Sequence, residues 1–180
     1  MCIRDRAYGD RFIIRDPAAE KTLAGGHVVD LFVHRRGRAT EVRLTTLTAA
    51  DHPAQSGLKN LLDISPLGVN LKQFRLNHAL RQKSLEKLLN AVDPTPIVLK
   101  ADDKQGGYCL SQVHYQHWCE RTRLLLTDFH RESPSEAGIA ESALSNQLNY
   151  PGSHKMLSQM LERIHSSGLI SRHGTLFHLP

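Results

Sequence analysis

Residues 10–33 constrain the fold most tightly, because they hold strands with no sheet to join. Asp10-Arg11-Phe12-Ile13-Ile14-Arg15-Asp16 has strand character, and Pro17-Ala18-Ala19-Glu20 is a turn. Lys21-Thr22-Leu23 and His27-Val28-Val29-Asp30-Leu31-Phe32-Val33 are strand-like, with Ala24-Gly25-Gly26 predicted to break them apart. Two or three strands cannot bury both faces of a sheet or satisfy both its edges. Everything downstream has a helical character. The expectation is that the chain is a fragment, that residues 7–34 are the remnant of a β-domain lying mostly upstream, and that these strands are frayed or loosely docked.

The first six residues, MCIRDR, have a different origin on this reading. MCIRD is what a common sequencing adaptor encodes when read through in one frame, so residues 1–6 are taken as a non-native leader. They are charged and lack the apolar centre of a secretory signal.

The segments after residue 34 follow a fixed order. Arg35-Arg36-Gly37-Arg38 is a basic linker, followed by apolar positions at helical spacing, Val42, Leu44, Leu47 and then Leu58, Leu61, Leu62, Ile64. Asp51-His52-Pro53 separates the two groups, since proline suits a first helical turn and not a helix interior. After Ser65-Pro66-Leu67-Gly68, a short extended piece leads into a helix with Asn70 as its N-cap. Leu71, Phe74 and His78 share one face of it, and Leu76 and Leu80 form a second row. A helix over 83–91 buries Leu85, Leu88 and Leu89. Residues 95–100 and 108–110 are strands around a polar turn. Helix, short strand, helix, helix, hairpin is the layout of a winged-helix domain.

That order then repeats. A long helix over 111–131 carries Val113, Trp118, Leu125, Leu126 and Phe129; Ile139-Ala140 is extended; 141–148 is a short helix. Ser153 caps a helix that buries Met156, Leu157, Met160, Leu161 and Ile164 and stops at Gly168, and a hairpin follows around Gly174. The fold class expected is α+β: terminal barrel strands over 7–34, one winged-helix domain over 35–110 and a second over 111–180.

Composition narrows the function classes. The net charge of +5 and pI near 9.3 suit either a nucleic-acid partner or a plain solvated basic surface. Cys2, Cys109 and Cys119 form neither a zinc spacing nor an even disulfide framework, which favours a reducing compartment and a cytoplasmic location. No apolar run reaches membrane-spanning length, so no membrane partner is expected, and the chain is expected to be monomeric.

Two segments carry a family resemblance. In DRFIIRDPAAEKTLAGGHVVD, the residues Arg11, Phe12, Ile14, Arg15, Thr22, Gly25, Gly26 and Val28 resemble the closing strands of the last β-barrel of translational GTPases related to elongation factor Tu. The tandem winged helices behind it make the order similar to that of the bacterial selenocysteine-specific elongation factors, commonly called SelB. In FHRESPSEAGIAESAL, the residues Phe129, His130, Pro134, Gly138, Ile139, Glu141 and Leu144 hold matching places. The resemblance implies a parent that binds GTP with Mg, selenocysteyl-tRNA, a selenoprotein mRNA hairpin and the ribosome, delivering selenocysteine at a recoded UGA. It implies for these residues the role of a spacer arm between the GTPase body and the hairpin-binding modules.

No catalytic or cofactor-binding residues are expected here. A phosphate loop of the GxxxxGK[ST] kind is missing from the sequence, and the lone Asp103-Lys104-Gln105-Gly106 sits in a predicted wing. The candidate RNA contacts are Arg35, Arg36 and Arg38 in the linker and Lys72, Arg75, Lys83 and Lys87 around the first helix-turn-helix. Each competes with a plainer role as a solvated cation, and Glu86 dilutes the charge. His114, His117 and Cys119 resemble metal ligands at first sight, but 119 leaves the face that 114 and 117 share. A winged-helix regulator that binds duplex DNA is the alternative function; it leaves residues 10–33 unexplained.

Overall fold

The computed structural model describes residues 6–32, 36–99 and 106–180, an α+β chain that divides into two compact units. Residues 1–5, Val33-His34-Arg35 and 100–105 lie outside the described set, and with them most of the stretch expected to be a leader and part of the DxxG segment. The first unit comprises residues 1–64 and 69–95, and the second 65–68 and 96–180. Residues 96–110, placed by the sequence pattern with the first helical domain, thus cluster with the second unit.

The first unit opens with a hairpin of β1 (Arg11–Arg15) and β2 (Thr22–His27), antiparallel, with Phe12 opposite Gly26 and Ile14 opposite Ala24. The expected break at Ala24-Gly25-Gly26 does not occur, because Phe12 lies across Gly26. A Cβ on Gly26 would sit 2.8 Å from Phe12 Cζ, so the ring occupies the place a side chain would take. The turn between the strands is built on Asp16, whose Oδ1 accepts from Lys21 N–H at 2.9 Å. Every residue of both strands is exposed, including Ile13 (66%) and Leu23 (64%). The hairpin therefore contributes nothing to a core.

Four helices follow in the same unit. Helix α1 (Glu41–Ala50) is capped by Thr40, whose hydroxyl accepts from Arg43 N–H, and α2 (Ala54–Ile64) buries Leu58, Leu61 and Leu62. The short strand β3 (Val69–Asn70) leads into α3 (Leu71–Asn77), where the Asn70 side chain caps as its spacing predicts. Helix α4 (Gln82–Ala91) buries Leu85 and Leu89. Two expected core rows fail. Helix α1 buries no residue, leaving Val42 and Leu44 exposed, and Leu76 of α3 faces outward while Leu71 and Phe74 go in. In α3 seven residues make barely two turns, so only one stripe can reach a core.

The second unit begins with the antiparallel pair β4 (Ile97–Leu99) and β5 (Tyr108–Leu110). Helix α5 (Gln112–Glu132), capped by Ser111, buries Trp118, Cys119, Thr122 and Leu126. Val113, expected on that face, is 70% exposed: it lies in the first turn, a step off the buried stripe. β6 (Ile139–Ala140), α6 (Glu141–Leu148), α7 (His154–Ser166), β7 (Ser171–His173) and β8 (Leu176–His178) complete the unit, with sheet order β6–β8–β7. One continuous core runs from Leu99 and Leu110 through Trp118, Leu126, Leu144, Met160 and Ile164 to Phe177.

Polar contacts set the angles of this core. The Trp118 indole N–H donates to Pro66 O at 2.9 Å, and Arg121 donates to Leu148 O at 2.8 Å, satisfying a carbonyl at the end of α6. The same guanidinium lies 5.2 Å from the centre of the Trp118 ring. Glu141 at the start of α6 accepts a hydrogen bond from Ser158 of α7.

Two glycines hold corresponding places ahead of β3 and β6. Gly68 has φ +82°, and a Cβ there would lie 2.5 Å from Cys109 O on β5. Gly138 has φ +156°, and a Cβ there would lie 2.6 Å from Phe177 O on β8. In each case the backbone entering a short strand presses on a strand of the following hairpin, and no larger residue fits.

Two outcomes are expected. Gly138→Ala lowers stability by about 2 kcal/mol through overlap with backbone and a disfavoured φ, read as a shift in the denaturant midpoint; Gly68→Ala behaves alike. In hydrogen exchange, amides of 11–15 and 22–27 exchange much faster than those of α7, because the hairpin opens without exposing any core.

Candidate nucleic-acid interface

The cations singled out in the sequence fall into four situations. Arg35 lies outside the described residues. Arg36 and Arg38 are exposed in the irregular stretch before α1, and Arg38 has a polar or electrostatic partner. Lys72 and Arg75 stand one turn apart on α3, both half-buried. Arg75 is turned to a local task, donating to Leu80 O at 3.4 Å across the loop that follows its own helix. Lys72 is likewise engaged by a partner.

Lys83 and Lys87 differ from these. They are exposed and lie four residues apart on α4, opposite the stripe that buries Leu85 and Leu89. Such a pair presents two ammonium groups along one ridge, the arrangement that follows a phosphate backbone and reads no bases. Glu86, beside them, accepts from Gln82 at 3.1 Å and leaves the local charge only mildly positive. Lys83 and Lys87 are thus the candidates that stand exposed together on one helix.

The His114, His117 and Cys119 group does not converge. Cys119 is buried, and burial raises its thiol pKa despite a hydrogen bond with Tyr115, whereas a metal ligand must be thiolate. Among the described residues no group of three or more His, Cys, Asp or Glu is placed to hold a metal. His130, expected to pack or cap at a helix end, lies in the last turn of α5, where Leu179 N–H approaches its Nε2 at 3.5 Å.

The most ordered polar arrangement was not foreseen. It lies in the first unit, where the segment after β2 meets α1 and α3. Asp30 accepts from Phe32 N–H at 2.9 Å, from Asn77 Nδ2 at 2.8 Å and from Arg43 at 2.6 Å. Asn77 Oδ1 accepts from Leu31 N–H at 2.8 Å, and its backbone carbonyl accepts from Tyr8 N–H at 3.2 Å. The Asp30 and Arg43 side chains keep only 13% and 15% exposure. Burial alone would raise the Asp30 pKa, but the hydrogen bonds from Phe32, Arg43 and Asn77 and the Arg43 charge together hold it below the usual carboxylate range. Alongside, His78 is sandwiched between Tyr8 and Phe74 with ring centres 4.6 and 4.5 Å away, and burial lowers its pKa. His27 Nε2, at the end of β2, sits 2.6 Å from Asp51 Oδ1 at the end of α1. The partners Asp30 and Asn77 are 47 residues apart, so no local pattern announces them.

Comparison with known proteins supplies the context. Residues 6–35 match a family model described as the β-barrel domain of selenocysteine-specific elongation factor. The selenocysteine-specific elongation factor of Escherichia coli (strain K12) is 27% identical over 175 residues, covering 97% of this chain and 27% of that protein. Those of Haemophilus influenzae and Desulfomicrobium baculatum are 21% and 24% identical, covering 97% and 96% of this chain and again 27% of each relative. The chain thus spans about a quarter of the length of these relatives, and it is similar to them along nearly all of its own. The resemblance carried by residues 10–30 is borne out, with those residues inside the matched range.

Asp30 gives a pH-dependent outcome. Its carboxyl pKa is lowered in the folded state, so its stabilisation is present above the unfolded value near pH 4 and is lost as pH falls through the folded value. Asp30→Asn is expected to cost about 2 kcal/mol at pH 7, and the gap to the parent chain is expected to shrink steadily below about pH 4. Urea melts of both chains at several pH values check this.

Proposed function

We infer that this chain works within a selenocysteine-specific translation elongation factor, as the arm that links its β-barrel to its helical modules. The barrel-type hairpin followed by helix–strand–helix–helix–hairpin, twice over, supports that reading. The observation that carries it is the pair Gly68 and Gly138. Each sits ahead of a short strand and presses on a strand of the next hairpin, the mark of one supersecondary unit used twice. On this basis both runs are winged helices, the first over 35–110 and the second over 111–180, with the hairpin over 7–34 belonging to the barrel.

The whole factor would take GTP with Mg, selenocysteyl-tRNA, the ribosome and a hairpin in selenoprotein mRNA, and would insert selenocysteine at a recoded UGA in the cytoplasm. The residues of this chain do not fit the nucleotide. The sequence contains no GxxxxGK[ST] loop to wrap phosphates in backbone N–H groups, so no step of hydrolysis is assigned to them. Their part is mechanical. The second unit has a continuous apolar core, with Trp118 tied to the Pro66 carbonyl and Arg121 to the end of α6, which suits a stiff spacer. Lys83 and Lys87, with Arg36, would add weak, salt-screened contacts to RNA phosphates and no sequence readout. No helix among the described residues is long and apolar enough to cross a membrane.

Two measurements test this. In the intact factor, residues 54–180 are replaced by a Gly/Ser linker of equal contour length and UGA decoding is followed with a reporter. Loss of decoding is expected, because a coil cannot hold a set distance; unchanged decoding contradicts the spacer role. Separately, fluorescence anisotropy of this chain with duplex DNA is expected to give weak binding that fades with salt. Tight, sequence-dependent binding would favour a DNA-binding regulator instead.

A further inference from the structure

We propose that Asn77 is the keystone of a locked joint, which makes the β1–β2 hairpin and the α1–α4 bundle one rigid lever. The inference rests on the first unit alone and stands apart from the functional reading above. Asn77 ends α3 and uses three groups at once. Its carbonyl holds Tyr8, on the approach to β1. Its Oδ1 holds Leu31 and its Nδ2 holds Asp30, both just past β2. One residue of the helical bundle thus grips the chain on both sides of the hairpin.

The two gripped segments are also tied to each other. Gly9 N–H donates to Val28 O at 2.8 Å, and Val28 N–H donates to Asp10 O at 2.9 Å. Asp30 then passes the connection to α1 through Arg43, whose backbone N–H is held by the Thr40 cap. Tyr8 packs on His78, the residue after Asn77, and His78 packs on buried Phe74. His27 reaches Asp51 at the far end of α1. The hairpin base is therefore tied to both ends of α1 and to the end of α3.

The energetics make the joint close to all-or-none. Asp30 and Arg43 are largely removed from water, so losing one partner strands a buried charge. The Asn77 side chain cannot rotate to free one of its two contacts without breaking the other, because its amide donates to Asp30 and accepts from Leu31 in a single orientation. Exposed strands with no core of their own have no other means of keeping a fixed direction. A push on the hairpin is thereby carried into α1 and α3 and not absorbed by the connecting segment. Asn77 and Asp30 are positioning residues on this account.

Spin-label distances test the joint on the full chain. Labels are placed at Ile13→Cys and Lys87→Cys, both exposed and both in the first unit, with Cys2 changed to serine. A narrow distance distribution is expected for the otherwise unchanged chain, broadening by roughly twofold in Asn77→Ala as release of a hinge does. Asp30→Asn serves where Asn77→Ala does not fold; it keeps the shape and loses the Arg43 pair, and a smaller broadening is expected. Far-UV circular dichroism confirms that α1–α4 persist in each variant compared. A distribution already broad in the unchanged chain overturns the proposal. So does a folded Asn77→Ala, or Asp30→Asn where that variant stands in, as narrow as the unchanged chain.

Discussion

A carboxylate shielded from water must find donors for its charge, and Asp30 finds them on three segments of chain. Phe32 supplies a backbone N–H, Asn77 an amide and Arg43 a guanidinium. Each donor is fixed by something else: Asn77 by the end of α3, Arg43 by the capped first turn of α1. The direction in which the chain leaves β2 is therefore a consequence of hydrogen-bond satisfaction. Without that cluster the hairpin would keep only the exposed His27–Asp51 contact and the Tyr8–His78 packing, since none of its strand residues is buried.

The two units rest on different physics. The second is held by apolar burial, with Leu126, Leu144, Met160 and Ile164 wholly enclosed and Trp118 pinned by its indole hydrogen bond. The first has a smaller set around Leu58, Phe74 and Leu85 and relies more on polar ties between distant segments. Gly68 and Gly138 show how one backbone requirement recurs where the same element order recurs.

What could be read from the sequence was local. Asn70 and Ser153 cap helices as their positions predict, because a cap needs only its own first turn. The helices around Leu85 and Met160 and the hairpin at Gly174 followed from apolar spacing and a turn residue. Failures came where a tertiary partner overrode local tendency. Gly25 and Gly26 read as a break, but Phe12 on the opposite strand covers Gly26 and the strand continues. Val42 and Leu44 read as core, but α1 is held by Thr40 and Arg43 and buries nothing. Asp30 and Asn77 carried no signal, since neither lies in a motif and their pairing crosses most of the first unit.

The Leu31 amide gives the most direct test of the central claim, because it donates to the Asn77 side chain and lies in no strand or helix among the described residues. Its hydrogen-exchange rate can be compared, by nuclear magnetic resonance, with rates inside α3 and within β1. The account predicts protection matching α3 and well above that of the hairpin strands. A Leu31 amide exchanging as fast as those of β1 would mean that the cluster does not hold, and the account of a fixed joint would fail with it.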